Sequence, residues 1–297
     1  MAGPGEHGEF VPLLSESTPD ASNEGASAAD LPPLRPRGIG EILDLAMEIL
    51  RSRPLACFGF SMALWLPARL LRTWYNTSFG LGPPDEVLPI LAYAVVAMIL
   101  PILIPLVVSA ALARVAHDTI QGRPASRAST FAVLRPGLFL RLMLITFLIA
   151  MLTGLGVLAC VVPGFYLSWR LSTATTALVV EDLTPVSAVK RSFAITRGTF
   201  LRWLGLAVVQ QCMLIPFSGP VAVLDDPTLR AEVLSSIPLS APALELLSLC
   251  LATLFLSVAT AFAGLAMAVF YFDCRVRVDG FDLDMALERL RGERAGS

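Results

Sequence analysis

Few side chains in this sequence are placed to do chemistry, and most of those carry positive charge. Arg170 lies in an otherwise apolar run about ten residues before Glu181, which places it about 15 Å along a helix from that carboxylate. Beyond Glu181 and Asp182, the segment from Thr184 to Gly198 carries Lys190, Arg191 and Arg197. Cations clustered in this way suit recognition of anions, above all the phosphate of a lipid headgroup. They do not supply a nucleophile or a general base. Two histidines, His7 and His117, leave almost nothing for a zinc site or a His-dependent triad. Cys57, Cys160, Cys212, Cys250 and Cys274 form no CxxC pair and lie in or beside apolar segments, so they read as small buried hydrophobes. The sequence predicts no cofactor, no metal ligand and no catalytic residue, and it offers no basic patch of the kind that binds nucleic acid.

Each cation has two readings. A charge at the depth of Arg170 must face protein or water and must find a partner. Arg170 either binds an anionic headgroup or substrate within a helix bundle, or it snorkels or pairs with an internal carboxylate and locks helices. Gln210 and Gln211 are further hydrogen-bonding candidates for it. Lys190, Arg191 and Arg197 either hold anionic lipid, at about 1 kcal/mol per basic residue, or act as a topology anchor that touches lipid without selecting one.

The elements that must position these residues are those of a membrane protein. The chain has 297 residues, 55% hydrophobic and only 15% charged, with mean hydropathy +0.70. Leu88 to Ala113 is a run of 26 residues with no charged side chain. A helix needs about 20 apolar residues to cross a bilayer core, and comparable segments recur. Six spans are expected: Leu55–Tyr75, Val87–Val115, Leu138–Val161, Phe165–Val180, Phe200–Leu224 and Ala243–Phe272. Trp74 and Tyr75 read as an aromatic interface anchor. Pro163-Gly164 reads as a tight turn, and Pro216 and Pro220 as a break in the fifth span. The expected class is all-α: a polytopic integral membrane protein of six transmembrane helices with interfacial amphipathic helices on the cytoplasmic side.

Two amphipathic segments flank the spans. Gly38 to Arg53 places Ile39, Ile42, Leu43, Ala46, Ile49 and Leu50 on one face and Glu41, Asp44, Glu48 and Arg51 on the other, and so reads as a helix lying in the interface plane. In the second, Thr184 caps a helix, Pro185 suits its first turn and Gly198 suits its stop, with Val186, Val189 and Phe193 as the apolar stripe. Residues 1–36 read as a disordered tail, 37–291 as the membrane domain and 292–297 as a short C-terminal tail. Of the 22 Lys and Arg, all but Arg69, Arg72 and Arg230 fall on one side of this topology. That bias places both termini in the cytoplasm. A faint repeat relates Phe131-Ala132-Val133-Leu134-Arg135 and Phe139-Leu140-Arg141 to Phe193-Ala194-Ile195-Thr196-Arg197 and Phe200-Leu201-Arg202. It stands beside the alternative that basic-aromatic linkers simply resemble one another.

The block WRLSTATTALVVED followed by PVSAVKRSFAITRGTFLRW resembles the bacterial family called the membrane domain of glycerophosphoryl diester phosphodiesterase. The matching positions are Arg170, Glu181, Ala188, Arg191, Ser192, Thr196 and Gly198. The opening PRGIGEILDLAMEIL is similar to the family's start. The finish is similar through Asp273, Arg275, Val276, Arg277, Gly280, Phe281, Asp282 and Leu283. The resemblance covers roughly residues 36–291 and implies a free-standing member in a bacterial cytoplasmic membrane. It does not carry over the enzymatic name, because no His-Arg pair occurs and no loop is long enough for the catalytic barrel. Three functions are weighed. The first is a non-enzymatic protein that organises or accompanies a membrane partner or lipid, including a protein partner or another copy of itself. The second is a transporter or lipid-handling protein using Arg170. The last is an enzyme acting on glycerophosphodiesters.

Overall fold

The computed structural model describes residues 36–79, 91–92, 99–121, 130–226, 228–229, 232 and 240–280. The expected disordered tail up to residue 35, most of the opening of the second span, and the C-terminal segment from residue 281 lie outside the described residues. Every regular element among the described residues is helical.

The first helix, α1 (Ile39–Ser52), opens with the Gly38 amide donating to the Glu41 carboxylate at 2.9 Å. Its apolar face is buried as the periodicity requires, through Ile42, Leu43, Ala46 and Ile49, with Leu45 added. That face packs chiefly on the last helix and also on the second. Protein, rather than lipid alone, is therefore its apolar partner.

The long helices follow. They are α2 (Pro54–Phe79), α3 (Leu100–Ile120), α4 (Pro136–Ala159), α8 (Phe200–Asp225) and α9 (Ala241–Asp279). Five helices, drawn from within these bounds, are long and apolar enough to cross a membrane. A short 3-10 turn, Ala132–Leu134, leads into α4. Between α4 and α8 lie three short helices: α5 (Val161–Leu171), α6 (Ala174–Val180) and α7 (Pro185–Ile195).

Several expectations are corrected. The fourth expected span is not one helix, because α5 and α6 are separated at Ser172 and Thr173. There Ser172 Oγ donates to the Trp169 carbonyl at 2.8 Å, and Thr173 Oγ1 shares a 2.9 Å hydrogen bond with Ser192. Hydroxyls compete with the backbone for hydrogen bonds, which favours interruption there. The turn expected at Pro163-Gly164 lies instead at Cys160, whose backbone is extended, and both residues sit inside α5. Pro163 is tolerated because the first turn of a helix has no use for its amide. The fifth expected span runs unbroken through Pro216 and Pro220, and the sixth continues beyond Phe272 to Asp279. Tyr75 is buried, so only Trp74 of the expected aromatic pair is exposed. Of the five cysteines, Cys57 and Cys274 are buried and the other three are exposed.

The centre of the bundle is α9, which packs on α1, α2, α3 and α8. Small residues permit the closest approaches. A Cβ on Gly264 would lie 3.0 Å from the Ser109 Cα of α3. The α4–α5 hairpin is tighter still: a Cβ on Gly164 would sit 2.3 Å from Val157 Cγ2 and 2.7 Å from its backbone nitrogen. Small residues at helix contacts are the usual way to bring apolar helices together where burial from water supplies no drive.

An ionic belt and a stacked arginine

Two carboxylate hubs gather at one end of the bundle. At the first, Asp273 on α9 is almost fully buried. It accepts a 2.7 Å hydrogen bond from the Arg37 amide, 3.0 Å from Arg277 Nε, and a salt bridge from Arg202 at 3.1 Å. Arg202 and Arg277 also donate to the Arg37 carbonyl. The approach to α1, the start of α8 and the end of α9 are therefore joined around one carboxylate. Helical spacing explains the geometry on α9, where residues four apart share a face, so Asp273 meets Arg277.

At the second hub, Glu181 closes the end of α6. It accepts from Arg191 Nε at 3.0 and 3.1 Å and from the Tyr271 hydroxyl, and Arg275 Nε stands 3.5 Å away. Arg191 reaches on to Asp279. Burial, the largest single influence on Arg191, opposes its charge. The bonds to Asp279 and Glu181 together outweigh it, and the guanidinium pKa is raised above its already high value. On the same rim, Arg141 pairs with Asp182 at 3.0 Å, both largely exposed.

The short helix α7 carries this belt outward. Thr184 caps it, accepting from the Ser187 amide at 3.4 Å, with Pro185 in the first turn. After Thr196 the chain turns at Gly198, whose φ is +78°. The buried face is not the expected stripe. Val186 is exposed and Val189 and Phe193 are half-buried, whereas Ala188, Ser192 and Ile195 are buried. The reason is the hydroxyl ladder beneath: Ser192 Oγ donates to the Arg170 carbonyl at 2.6 Å, and Thr196 lies beside it. Small polar residues thus face the bundle. Lys190 and Arg197 remain exposed.

Arg170 is 9% exposed. No carboxylate reaches it among the described residues, nor do Gln210 and Gln211. Its Nη1 donates to Thr196 Oγ1 at 3.3 Å, and its Nε has no acceptor. Aromatic rings take the place of a counter-ion. The guanidinium carbon stands 4.8 Å from the ring centroid of Phe193, 5.3 Å from that of Trp169 and 6.0 Å from that of Tyr166. Such contacts are worth about 2 kcal/mol or more when desolvated. Trp169 is itself packed edge-on to Tyr166 and Phe200.

The expected residues therefore separate into four groups. Glu181, Arg191 and Arg275 meet in one hub, and Asp273 and Arg277 in the other. Ser192 and Thr196 bind Arg170 and its carbonyl. Lys190 and Arg197 stand on the surface. Sequence reading missed Arg37, Arg202, Tyr271 and Asp279 as members of the hubs. The signal available was the i,i+4 pairing of Asp273 with Arg277 and of Arg275 with Asp279 along one apolar helix.

Five long apolar helices, of which α2, α3 and α8 pack on the central α9, define an all-α polytopic membrane protein. Comparison of the chain with family models, with curated proteins and with solved structures finds no match.

Proposed function

We propose that this chain is a non-enzymatic membrane protein of the glycerophosphoryl diester phosphodiesterase membrane-domain type, and that it organises or accompanies a membrane partner or an anionic lipid. One observation carries the reading. Arg191 fastens α7 to the ends of α6 and α9, while Lys190 and Arg197 of the same segment remain exposed. A rigidly held helix that presents cations is a platform for an anionic surface. In this reading the protein resides in a bacterial cytoplasmic membrane, and the broken α5–α6 segment counts as the fourth of six crossings. Both termini and the ionic belt face the cytoplasm.

Affinity capture of the tagged chain from mild detergent tests the proposal. A reproducible protein partner or anionic lipid should accompany it and fall at least tenfold in the double variant Lys190→Glu, Arg197→Glu. Capture of nothing reproducible overturns the reading, as does release of glycerol phosphate by the purified chain with a divalent metal. Cysteines introduced by Lys190→Cys and Asp226→Cys should label from opposite faces of intact vesicles. Labelling from one face would overturn the topology.

A second reading rests on Arg170, a buried cation that no carboxylate reaches among the described residues. In it the protein moves or handles an anionic lipid past that guanidinium. Lysine keeps the charge but not the planar stacking, so Arg170→Lys should alter lipid flux in vesicles while the protein still folds. Unchanged flux removes Arg170 from any transport mechanism.

A further inference from the structure

At the end of the bundle opposite the ionic belt, the charges do not balance. Arg69 and Arg72 on α2 converge on a single carboxylate, Asp225, at the end of α8. The Arg72 contact is 3.0 Å. Arg69 is buried, whereas the Arg72 side chain is 40% exposed. Among the described residues, two guanidinium groups against one carboxylate leave one positive charge over. The C-terminal end of α8 adds a partial negative charge of about one half, which does not cancel it. Arg69, the buried member, has Asp225 as its partner, so the surplus charge sits on the 40%-exposed Arg72, where an anion can reach it.

A cavity of about 130 Å³ opens beside this pair. Its charged wall is Arg69, Arg72 and Asp225, and its apolar wall includes Trp65, Val221 and Leu256. Trp65 is fixed there because its Nε1 donates to Thr260 Oγ1 of α9 at 3.0 Å. Trp65, Arg69 and Arg72 recur at helical spacing and so share one face of α2. A cationic wall joined to an apolar wall fits a molecule that is itself divided in that way.

We infer that this cavity binds an amphiphile with an oxyanion head, a phosphate or a carboxylate. The head bridges Arg69 and Arg72, and the alkyl chain lies along Trp65, Val221 and Leu256. Asp225 occupies part of the position that the head would take. Bidentate pairing of arginine with oxyanions supplies the recognition. The site lies apart from α7 and does not depend on whether the ionic belt recruits a partner.

The test uses the purified full-length chain in phosphatidylcholine nanodiscs, titrated calorimetrically with dodecyl phosphate, inorganic phosphate and neutral decyl maltoside. Dodecyl phosphate should bind saturably, at least tenfold more tightly than inorganic phosphate, and decyl maltoside should not compete. Arg72→Gln and Leu256→Trp, the second filling the cavity without changing charge, should each weaken binding at least tenfold. Asp225→Asn should tighten it several-fold by removing the competing carboxylate. Circular dichroism and size-exclusion profiles establish that each variant is folded. If Asp225→Asn does not fold, the other two variants decide the matter. No saturable binding, or binding indifferent to both Arg72→Gln and Leu256→Trp, overturns the site. Equal affinity for inorganic phosphate overturns the role of the alkyl chain. An unchanged affinity in folded Asp225→Asn overturns the competition by Asp225.

Discussion

The two ends of the bundle use arginine differently. At the belt, every hub carboxylate has several donors and the arginines are shared between helices: Arg191 between Glu181 and Asp279, Arg202 between Asp273 and the Arg37 carbonyl. At the other end one carboxylate also serves two arginines, but Asp225 is their one acceptor among the described residues, and a cavity stands beside them. The lesson concerns reciprocity. A network in which each charge has several partners fixes where helix ends lie. Arginines that share a single acceptor beside free space retain capacity for a ligand.

Breaking the belt at its most buried carboxylate should produce the largest loss. Asp273→Asn leaves Arg202 and Arg277 without their shared anion, and removing one partner from a buried ion pair costs about 3–5 kcal/mol. Thermal or chemical denaturation in detergent should show it, and a loss under about 1 kcal/mol would mean that the hub is not what joins α1, α8 and α9.

Near the α4–α5 turn the packing relies on shape rather than charge. Gly164→Leu drives a side chain into the Val157 backbone, and overpacking of this kind typically costs about 1–3 kcal/mol. Native-like stability in that variant would refute the close approach of the hairpin. Arg191→Ala should cost about 1–2 kcal/mol, less than Asp273→Asn because its side chain is one-quarter exposed and solvent screens the pairs. It should also loosen α7, read as faster amide exchange over residues 185–195. Slower or unchanged exchange would detach α7 from the belt. The smallest effect is expected from Thr184→Ala, about 0.5–1 kcal/mol from loss of the helix cap. A loss above 2 kcal/mol would show that Thr184 does more than close one helix.

The residue types at the candidate site were legible before their grouping was. Arg170, Glu181, Arg191, Asp273 and Arg277 stand out because charge is conspicuous in apolar sequence. Their partners did not stand out. Arg37 and Asp273 are 236 positions apart, and Tyr271 and Glu181 are 90 apart. No local periodicity connects such pairs.

The α7 stripe shows the same limit on a smaller scale. Helical spacing correctly indicated a helix with a Thr184 cap, yet the buried face was Ala188, Ser192 and Ile195. Hydrophobicity predicts a buried face only where the neighbouring surface is apolar. Here the neighbour is the Arg170 carbonyl and the Thr173 hydroxyl, so small hydroxyl-bearing residues face inward.

From its order of residues alone, this protein is a helical membrane protein. Twenty or so consecutive apolar residues can satisfy their backbone polar groups in hydrocarbon only within a helix, and the chain repeats that pattern. The break between α5 and α6, the continuity of α8 through two prolines, the stacking around Arg170 and the imbalance at Asp225 came only from the folded arrangement. Each depends on what a distant segment presents across the contact, because a polar group in a membrane protein takes the partner that packing brings within reach.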